Sequence, residues 1–212
     1  MARGSYKKSE ASRQQVLEAA IQALSERGYA RTSVSDIASA AGMSKGAVHY
    51  HFESKDDLIE QVLQRCADLM RERVTAAWDA PGKPRERILR ALAVMRISRK
   101  DPGPELRVLA DLMAQGLHEP KLQQTLRAMF EANRKQVAEG ILDSLPKLGV
   151  RTKIPARVIP RLLLGTLDGL ALHDFFDPPP PGDDDEVMRA LEGIVFSLFE
   201  VDAEQPEPPG GA

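Results

Sequence analysis

The feature that most constrains the fold is the segment 32–52, where two short stretches with apolar spacing flank a single glycine. Thr32 and Ser33 are good N-caps for a first short helix, since their side-chain oxygens can accept hydrogen bonds from unpaired amides. Gly42 supplies the positive φ that a tight turn needs, and Ser44 caps a second helix ending near residue 51. The residues that the first helix turns inward are Val34, Ile37, Ala38 and Ala41.

The spacing of Ala38, Gly42 and Val48 is typical of a helix-turn-helix. It supplies a small residue where two helices cross, a glycine in the turn, and an apolar residue that holds the second helix. The segment also follows an amphipathic helix predicted over 12–26, which Gly28 terminates. We therefore predict three helices that pack as one small unit.

The rest of the chain also predicts helices, and no segment shows persuasive strand alternation. Periodic apolar stretches punctuated by Pro and Gly cover 55–78, 84–99, 104–117, 120–145, 156–176 and 186–201. We predict an all-α protein with four regions. They are a flexible arm (1–11), a three-helix helix-turn-helix domain (12–54), a larger helical domain for ligand binding and dimerisation (55–201), and a disordered tail (202–212).

Composition and charge narrow the function class. Residues 1–55 carry eight Lys/Arg against five Asp/Glu, whereas the remainder carries 21 against 26, so an acidic partner is expected for the first part. A single cysteine, Cys66, rules out an internal disulfide and favours a reducing compartment. The sequence has neither the apolar run of a secretory signal nor a stretch long enough to span a membrane. We expect a cytoplasmic protein without a membrane partner.

Residues 12–62 resemble the tetracycline-repressor (TetR) family of bacterial transcription regulators, through "RQQVLEAAIQALSERGY" and "TSVSDIASAAGMSKGAVHYHFESKDDLIEQV". The resemblance implies an all-helical homodimer that binds a palindromic operator on double-stranded DNA and is released when a small molecule binds the larger domain. The usual family tyrosine that contacts phosphate falls on His49 here, and Tyr50 and His51 are the alternatives for that contact.

A short helix in the major groove presents its N-terminal residues to base edges, so Lys45, Ala47 and Tyr50 are the predicted base contacts. Hydroxyls, amides and cations at helix starts and flanks typically bind phosphates. The complete set predicted to bind DNA is Thr32, Ser33, Ser44, Lys45, Gly46, Ala47, His49, Tyr50, His51 and Lys55.

Two glycines in "RVIPRLLLGTLDGLALHDFFD" lie four residues apart, Gly165 and Gly169, and would let another helix approach closely. Apolar residues surround more than one face of this helix, so it should be buried on two sides. "TLDGLALH" also looks like a common C-terminal type of the family. The predicted dimer interface comprises Leu162, Gly165, Leu167, Gly169, Leu172, Leu191, Ile194 and Leu198, and the alternative is an intramolecular core.

Methionine and aromatic side chains between the two ends could line a cavity for an apolar or amphipathic small molecule, and the alternative is that they form ordinary core. The predicted ligand contacts are Trp78, Leu92, Met95, Leu109, Met113, Leu117, Met129 and Phe130.

Nothing in the sequence favours an enzyme, a cofactor or a metal site. The four histidines are scattered, and there is no paired-histidine metalloprotease motif, phosphate-binding glycine loop or nucleophile elbow. Cys66 lies among apolar residues as an inert thiol, and the acidic run 183–186 suits a helix start. The alternatives to a ligand-released repressor are an activator, a low-specificity architectural DNA-binding protein, and an all-helical enzyme with a vestigial motif.

Overall fold

The structure, a computed structural model, describes residues 2–100 and 103–201. The described residues form helices α1 (Ala2–Arg27), α2 (Val34–Ala40), α3 (Lys45–His51), α4 (Lys55–Asp79), α5 (Pro84–Lys100), α6 (Pro104–Gly116), α7 (Pro120–Gly140), α8 (Ile159–Phe176) and α9 (Asp183–Ser197), with strands β1 (Val150–Thr152) and β2 (Phe199–Val201). Short 3-10 turns follow α7 and precede α8. The predicted all-α architecture with an N-terminal helix-turn-helix is confirmed.

By its contacts the chain divides into two compact units. Among the described residues, the first comprises 2–72 and 103–132, and the second comprises 73–100 and 133–201. This division differs from the predicted boundary at residue 55. The first turns of α4, all of α6 and part of α7 pack with the helix-turn-helix, because their apolar faces are buried in the same core as α1.

The core of the first unit is built from one face of each helix. Val16, Ala20 and Val48 are fully buried, and Leu58 and Val62 of α4 join them. Gln15 adds a hydrogen bond to these apolar contacts, since its side-chain amide donates to the Ala41 carbonyl at 2.9 Å. α1 thereby supports both helices of the helix-turn-helix.

The core of the second unit brings α5, α8 and α9 together with the small antiparallel sheet. Strand pairing sets Val150 opposite Val201 and Thr152 opposite Phe199. These strands were not predicted, because three residues are too few to show an alternating pattern. The helix predicted over 120–145 ends at Gly140 instead, and the chain then turns through the 3-10 segments.

A buried guanidinium also lies in the second unit. Arg96 is 4% exposed and its Nη2 forms ion pairs with Asp174, at 2.6 Å, and with Asp184. Burial lowers the pKa of the Arg96 guanidinium, but hydrogen bonds and charges from the two carboxylates outweigh burial and hold the pKa above its usual value. Asp184 belongs to the acidic run at the start of α9, and 13% of its side chain is exposed.

The N-terminal prediction was wrong in one respect. Residues 2–11 continue helix α1, so the helix begins at Ala2 and not near residue 12. The segment contains no proline, and Glu10 extends the helix through an i,i+4 hydrogen bond from Gln14 at 2.9 Å. The predicted tail, 202–212, lies outside the described residues. Among the described residues, no helix has the length and apolar character needed to cross a membrane.

Candidate nucleic-acid interface

Side-chain caps fix both helices of the helix-turn-helix. The hydroxyl of Ser33 accepts the amide N–H of Asp36 at 3.2 Å, and the Asp36 carboxylate accepts the Ser33 amide N–H at 2.8 Å. The Ser33 hydroxyl also donates to the Asp36 carboxylate, and this bond together with the one from the Ser33 amide holds the pKa of the Asp36 carboxyl below its usual value. Ser44 caps α3 by accepting the Ala47 amide N–H at 3.1 Å, and Gly42 makes the turn with φ of 64°. The predicted caps and turn are therefore present, with Ser33 and not Thr32 as the first cap.

α3 is held by one face and free on the other. Val48 is fully buried, whereas Lys45, Gly46, His49 and Tyr50 are exposed. Tyr50 is 78% exposed, which is unusual for a large aromatic side chain without a partner to cover it. The exposed face of α3 thus carries donors and an aromatic ring suited to base edges and phosphates.

An open concavity lies beside this face. It is lined by Ala30, Arg31, Thr32, Ser33, Val34, Ser35, Lys45, His49 and Lys55. Three of these residues are cationic and none is acidic, so the surface attracts an anion. The concavity joins the loop after α1, the start of α2, the exposed face of α3 and the first residue of α4.

Lys55 is engaged within the protein as well as lining the concavity. Its Nζ donates to the Tyr29 carbonyl at 3.1 Å and lies 4.1 Å from the centre of the Tyr29 ring. Partial burial lowers the pKa of the Lys55 ammonium, against the opposing pull of Glu119 and Asp56. Lys55 is therefore a fixed cation, in contrast to the exposed Lys45.

Two residues predicted to contact phosphate form hydrogen bonds within the protein instead. Thr32 is 2% exposed, and its hydroxyl donates to the Gly28 carbonyl at 2.7 Å. His51 is half-buried, with Nε2 at 2.8 Å from the Ser12 hydroxyl of α1. A side chain buried or bonded in this way is poorly placed to contact a phosphate, so both residues act mainly as supports. Ala47 is half-buried at the base of the exposed face.

The sequence prediction missed two polar residues of the concavity, Arg31 and Ser35. Arg31 is exposed, and its Nε donates to the Arg27 carbonyl at 3.0 Å. This bond fixes the position of the guanidinium group. The signal was present in the sequence, since a cation two residues before the N-cap Ser33 lies near a helix start, where phosphates are usually bound.

The predicted ligand contacts are not gathered in one place. Trp78, Leu92 and Met95 belong to the core of the second unit, whereas Leu109 and Met129 belong to that of the first, with Phe130 packed against it. Met113 and Leu117 are exposed. The Trp78 ring is covered on one face by the Arg87 guanidinium, 4.9 Å from the ring centre. Helical spacing could not separate these residues, because it reports a buried face without saying which core receives it.

The predicted dimer contacts divide into two groups. Leu167 and Leu191 are buried within the second unit. The prediction that they lie at the dimer interface was wrong, because they lie on the helix faces that pack into the core. Leu198 is half-buried. The remaining residues are exposed on α8 and α9 and are Leu162, Gly165, Gly169, Leu172 and Ile194.

Comparisons with known proteins agree with this geometry. Residues 16–62 match the family model described as bacterial regulatory proteins, tetR family. Residues 84–199 match the model of the C-terminal domain of BetI-type transcriptional repressors. Together the two models cover the helix-turn-helix and most of the remaining chain.

Individual relatives extend over nearly the full length. The chain is 25% identical over 199 residues to the HTH-type transcriptional regulator PksA of Bacillus subtilis, covering 92% of this chain and 93% of PksA. A Rhodococcus sp. protein described as a TetR-family transcriptional regulator shares the fold with a TM-score of 0.75 at 20% identity, covering 88% and 97% of the two chains.

A transcriptional regulator from Saccharomonospora viridis, solved in complex with choline, has a TM-score of 0.67 at 24% identity and covers 90% and 99%. On the two family models and the helix-turn-helix that the structure shows, the chain belongs to the tetR family of bacterial regulatory proteins and is a DNA-binding transcriptional regulator.

Proposed function

We propose that this regulator is a repressor that binds a palindromic operator as a homodimer and releases it when a small molecule binds. The observation that carries the proposal is the cationic concavity beside the exposed face of α3. Arg31 and Lys55 of the concavity suit the phosphate backbone, and the donors of α3, Lys45 among them, suit base edges in the adjacent major groove. The partner is double-stranded DNA, and the cytoplasm is where a bacterial regulator meets it.

Dimerisation is supported by an apolar stripe on α8. Leu162, Gly165, Gly169 and Leu172 are exposed at alternating steps of three and four residues, and Phe176 continues the stripe with 76% of its surface exposed. On α9, Ile194 is 60% exposed. Stripes of this spacing are buried when helices associate, and a twofold dimer would present two reading helices to two half-sites.

Ligand binding is supported in the second unit by the buried Arg96. Its Nε and Nη1 have no hydrogen-bond partner, although both atoms are shielded from solvent. A buried guanidinium edge without an acceptor is costly, and an amphipathic molecule with an acceptor group would satisfy it. Trp78, Leu92 and Met95 supply apolar surface in the same core. Choline, which the Saccharomonospora viridis regulator binds, is one compound to test. The regulatory and dimerisation roles of residues 55–201 are part of this proposal.

The proposal is tested by selecting duplexes from random-sequence DNA with the purified protein and measuring gel shifts at several salt concentrations. A repressor of this kind selects an inverted repeat and silences a reporter placed behind it. Activation of that reporter would favour the activator, and equal affinity for all duplexes would favour the architectural protein. Selection of no duplex would contradict the proposal.

Compounds that raise the melting temperature, choline among them, are then titrated against the protein–operator complex. Because coupling is reciprocal, a ligand that releases operator must bind the operator complex more weakly than the free protein.

A further inference from the structure

The loop between α1 and α2 is tied to a residue outside the helix-turn-helix. The Tyr29 amide N–H donates to Oδ2 of Asp111, on α6, at 2.6 Å. Gly28 makes this approach close, since its φ of 78° suits glycine and a methyl group there would lie 3.3 Å from the same oxygen. The two partners are 82 residues apart in sequence, yet both belong to the first unit.

Tyr29 is held from other directions as well. Lys55 donates to its carbonyl and lies over its ring. The carboxylate of Glu119, beside the start of α7, lies near the Tyr29 hydroxyl. Partial burial raises the pKa of the Tyr29 hydroxyl, and the charges of Glu119 and Asp56 raise it further, so the hydroxyl keeps its proton at neutral pH. Tyr29, which follows α1, is thus bonded to Lys55 of α4 and to Asp111 of α6.

The residues that follow Tyr29 line the cationic concavity. Arg31 and Ser33 come two and four positions later, and the Thr32 amide N–H donates back to the Tyr29 carbonyl at 3.3 Å. The Tyr29 carbonyl therefore accepts hydrogen bonds from the Thr32 amide and from the Lys55 ammonium. Lys55 belongs to α4 and also lines the concavity. A displacement of Tyr29 would move lining residues from the loop and from α4 at once.

We propose that Asp111 is a positioning residue for DNA binding, which fixes Tyr29 and thereby sets the placement of Arg31, Ser33 and Lys55 in the concavity. Asp111 does not itself contact DNA in this proposal. Its carboxylate is the acceptor for a backbone donor that would otherwise be unpaired in a half-buried loop, and a charge-assisted bond of this kind is among the stronger ones. The inference rests on the proposed operator binding.

The test compares Asp111→Ala, which removes the acceptor, with Asp111→Asn, which removes the charge and keeps an oxygen acceptor. Glu131→Ala is the matched control, since Glu131 is an exposed carboxylate on α7 in the same unit. Affinity is measured for a duplex selected from random DNA by the wild-type protein and for a scrambled duplex. Hydrogen exchange of the Tyr29 amide reports the contact itself without DNA. Failure of the wild-type protein to select any duplex would contradict the proposed function, while the exchange measurement would still test the contact.

Asp111→Ala is expected to weaken binding to the selected duplex by about tenfold or more and to accelerate exchange at Tyr29, with the circular-dichroism spectrum unchanged. Asp111→Asn should recover most of both, and Glu131→Ala should match wild type. Should Asp111→Ala fail to fold, Asp111→Ser replaces it in the comparison, because the shorter serine side chain withdraws its acceptor oxygen from the Tyr29 amide. Wild-type affinity in a folded Asp111→Ala or Asp111→Ser variant would overturn the proposal. Equal losses in Asp111→Ala and Glu131→Ala would also overturn it, because they would show an effect of net charge alone.

Discussion

At the scale of single residues, two lysines of the same concavity are held in different ways. Lys45 is exposed on α3, whereas Lys55 is partly buried and bonded to the Tyr29 carbonyl. An exposed, adaptable ammonium suits a base edge, and a fixed one suits a phosphate at a constant position. This difference was not visible in the sequence, which shows only two lysines ten residues apart.

The first prediction separates these roles. Lys45→Ala should weaken binding to the selected duplex by roughly 1–3 kcal/mol and relax base preference at one position of each half-site. Lys55→Ala should weaken binding to selected and scrambled duplexes alike and reduce the salt slope by about one per subunit. Lys121→Ala is the control, since Lys121 is 88% exposed in the same unit but does not line the concavity. Identical profiles for Lys45→Ala and Lys55→Ala would contradict the assignment.

The second prediction concerns Cys66, which is 2% exposed in the core of the first unit. Burial raises the pKa of its thiol from 9.0 to about 12. The folded state therefore prefers the protonated thiol, so this group's contribution to stability is present below pH 9 and is lost as pH rises from 9 toward 12. At pH 8 a thiol reagent should label the folded protein far more slowly than the protein in denaturant. Equal labelling rates in the two states would show that the thiol is accessible in the folded protein.

At the scale of elements, the turn between α2 and α3 depends on backbone conformation and not on space. Gly42 has φ of 64°, and a methyl group added there would meet nothing within 4 Å. Gly46 lies within α3, and a methyl group there would meet only the Ser44 hydroxyl at 3.8 Å, an ordinary contact. The two glycines therefore differ in the backbone angle φ, which favours glycine at position 42 and not at position 46.

The third prediction uses this pair. Gly42→Ala should lower the free energy of unfolding by roughly 1–2 kcal/mol through the strained φ. Gly46→Ala should raise it by up to about 1 kcal/mol, because alanine is the better helix former. Urea denaturation measures both. A stabilised Gly46→Ala variant with weakened DNA binding would show that Gly46 serves close approach to DNA, and a stabilising Gly42→Ala would contradict the account of the turn.

The sequence predicted the elements whose signals are local. Caps at Ser33 and Ser44, the glycine turn, and the prolines that open α5, α6 and α7 all act within a few residues of where they stand. The β1–β2 pair and the Tyr29–Asp111 bond were not predicted, because each joins residues at least 47 positions apart. Spacing also identified α8 as apolar on two sides but did not show that Leu167 faces the core.

At the scale of the whole molecule, the account requires a dimer that associates through the exposed stripe on α8 and α9. Leu167, first expected at this interface, is fully buried in the second unit. A charge at position 167 would therefore test folding of the subunit and not dimerisation.

The fourth prediction is that Leu162→Asp combined with Ile194→Asp yields a folded monomer, because both side chains are exposed in the single chain and a dimer would bury the introduced charges. Leu167→Asp should instead abolish the cooperative thermal transition. Val187→Asp is the control, since Val187 is exposed on α9 but lies outside the predicted contacts. Sedimentation velocity distinguishes the outcomes, and a double variant that stays dimeric would place the interface on another surface.

The most direct test of the central claim, that the cationic concavity and α3 bind operator DNA as a symmetric pair, is one set of fluorescence-anisotropy titrations. The duplexes are the selected inverted repeat, the same repeat with one half-site scrambled, and a fully scrambled sequence, each at several salt concentrations. The account predicts saturation at two chains per inverted repeat or a multiple of two, and affinity that falls by about tenfold or more when one half-site is scrambled. It also predicts that log affinity falls linearly with log salt. Equal affinity for the three duplexes, or saturation of the inverted repeat at one chain, would contradict it.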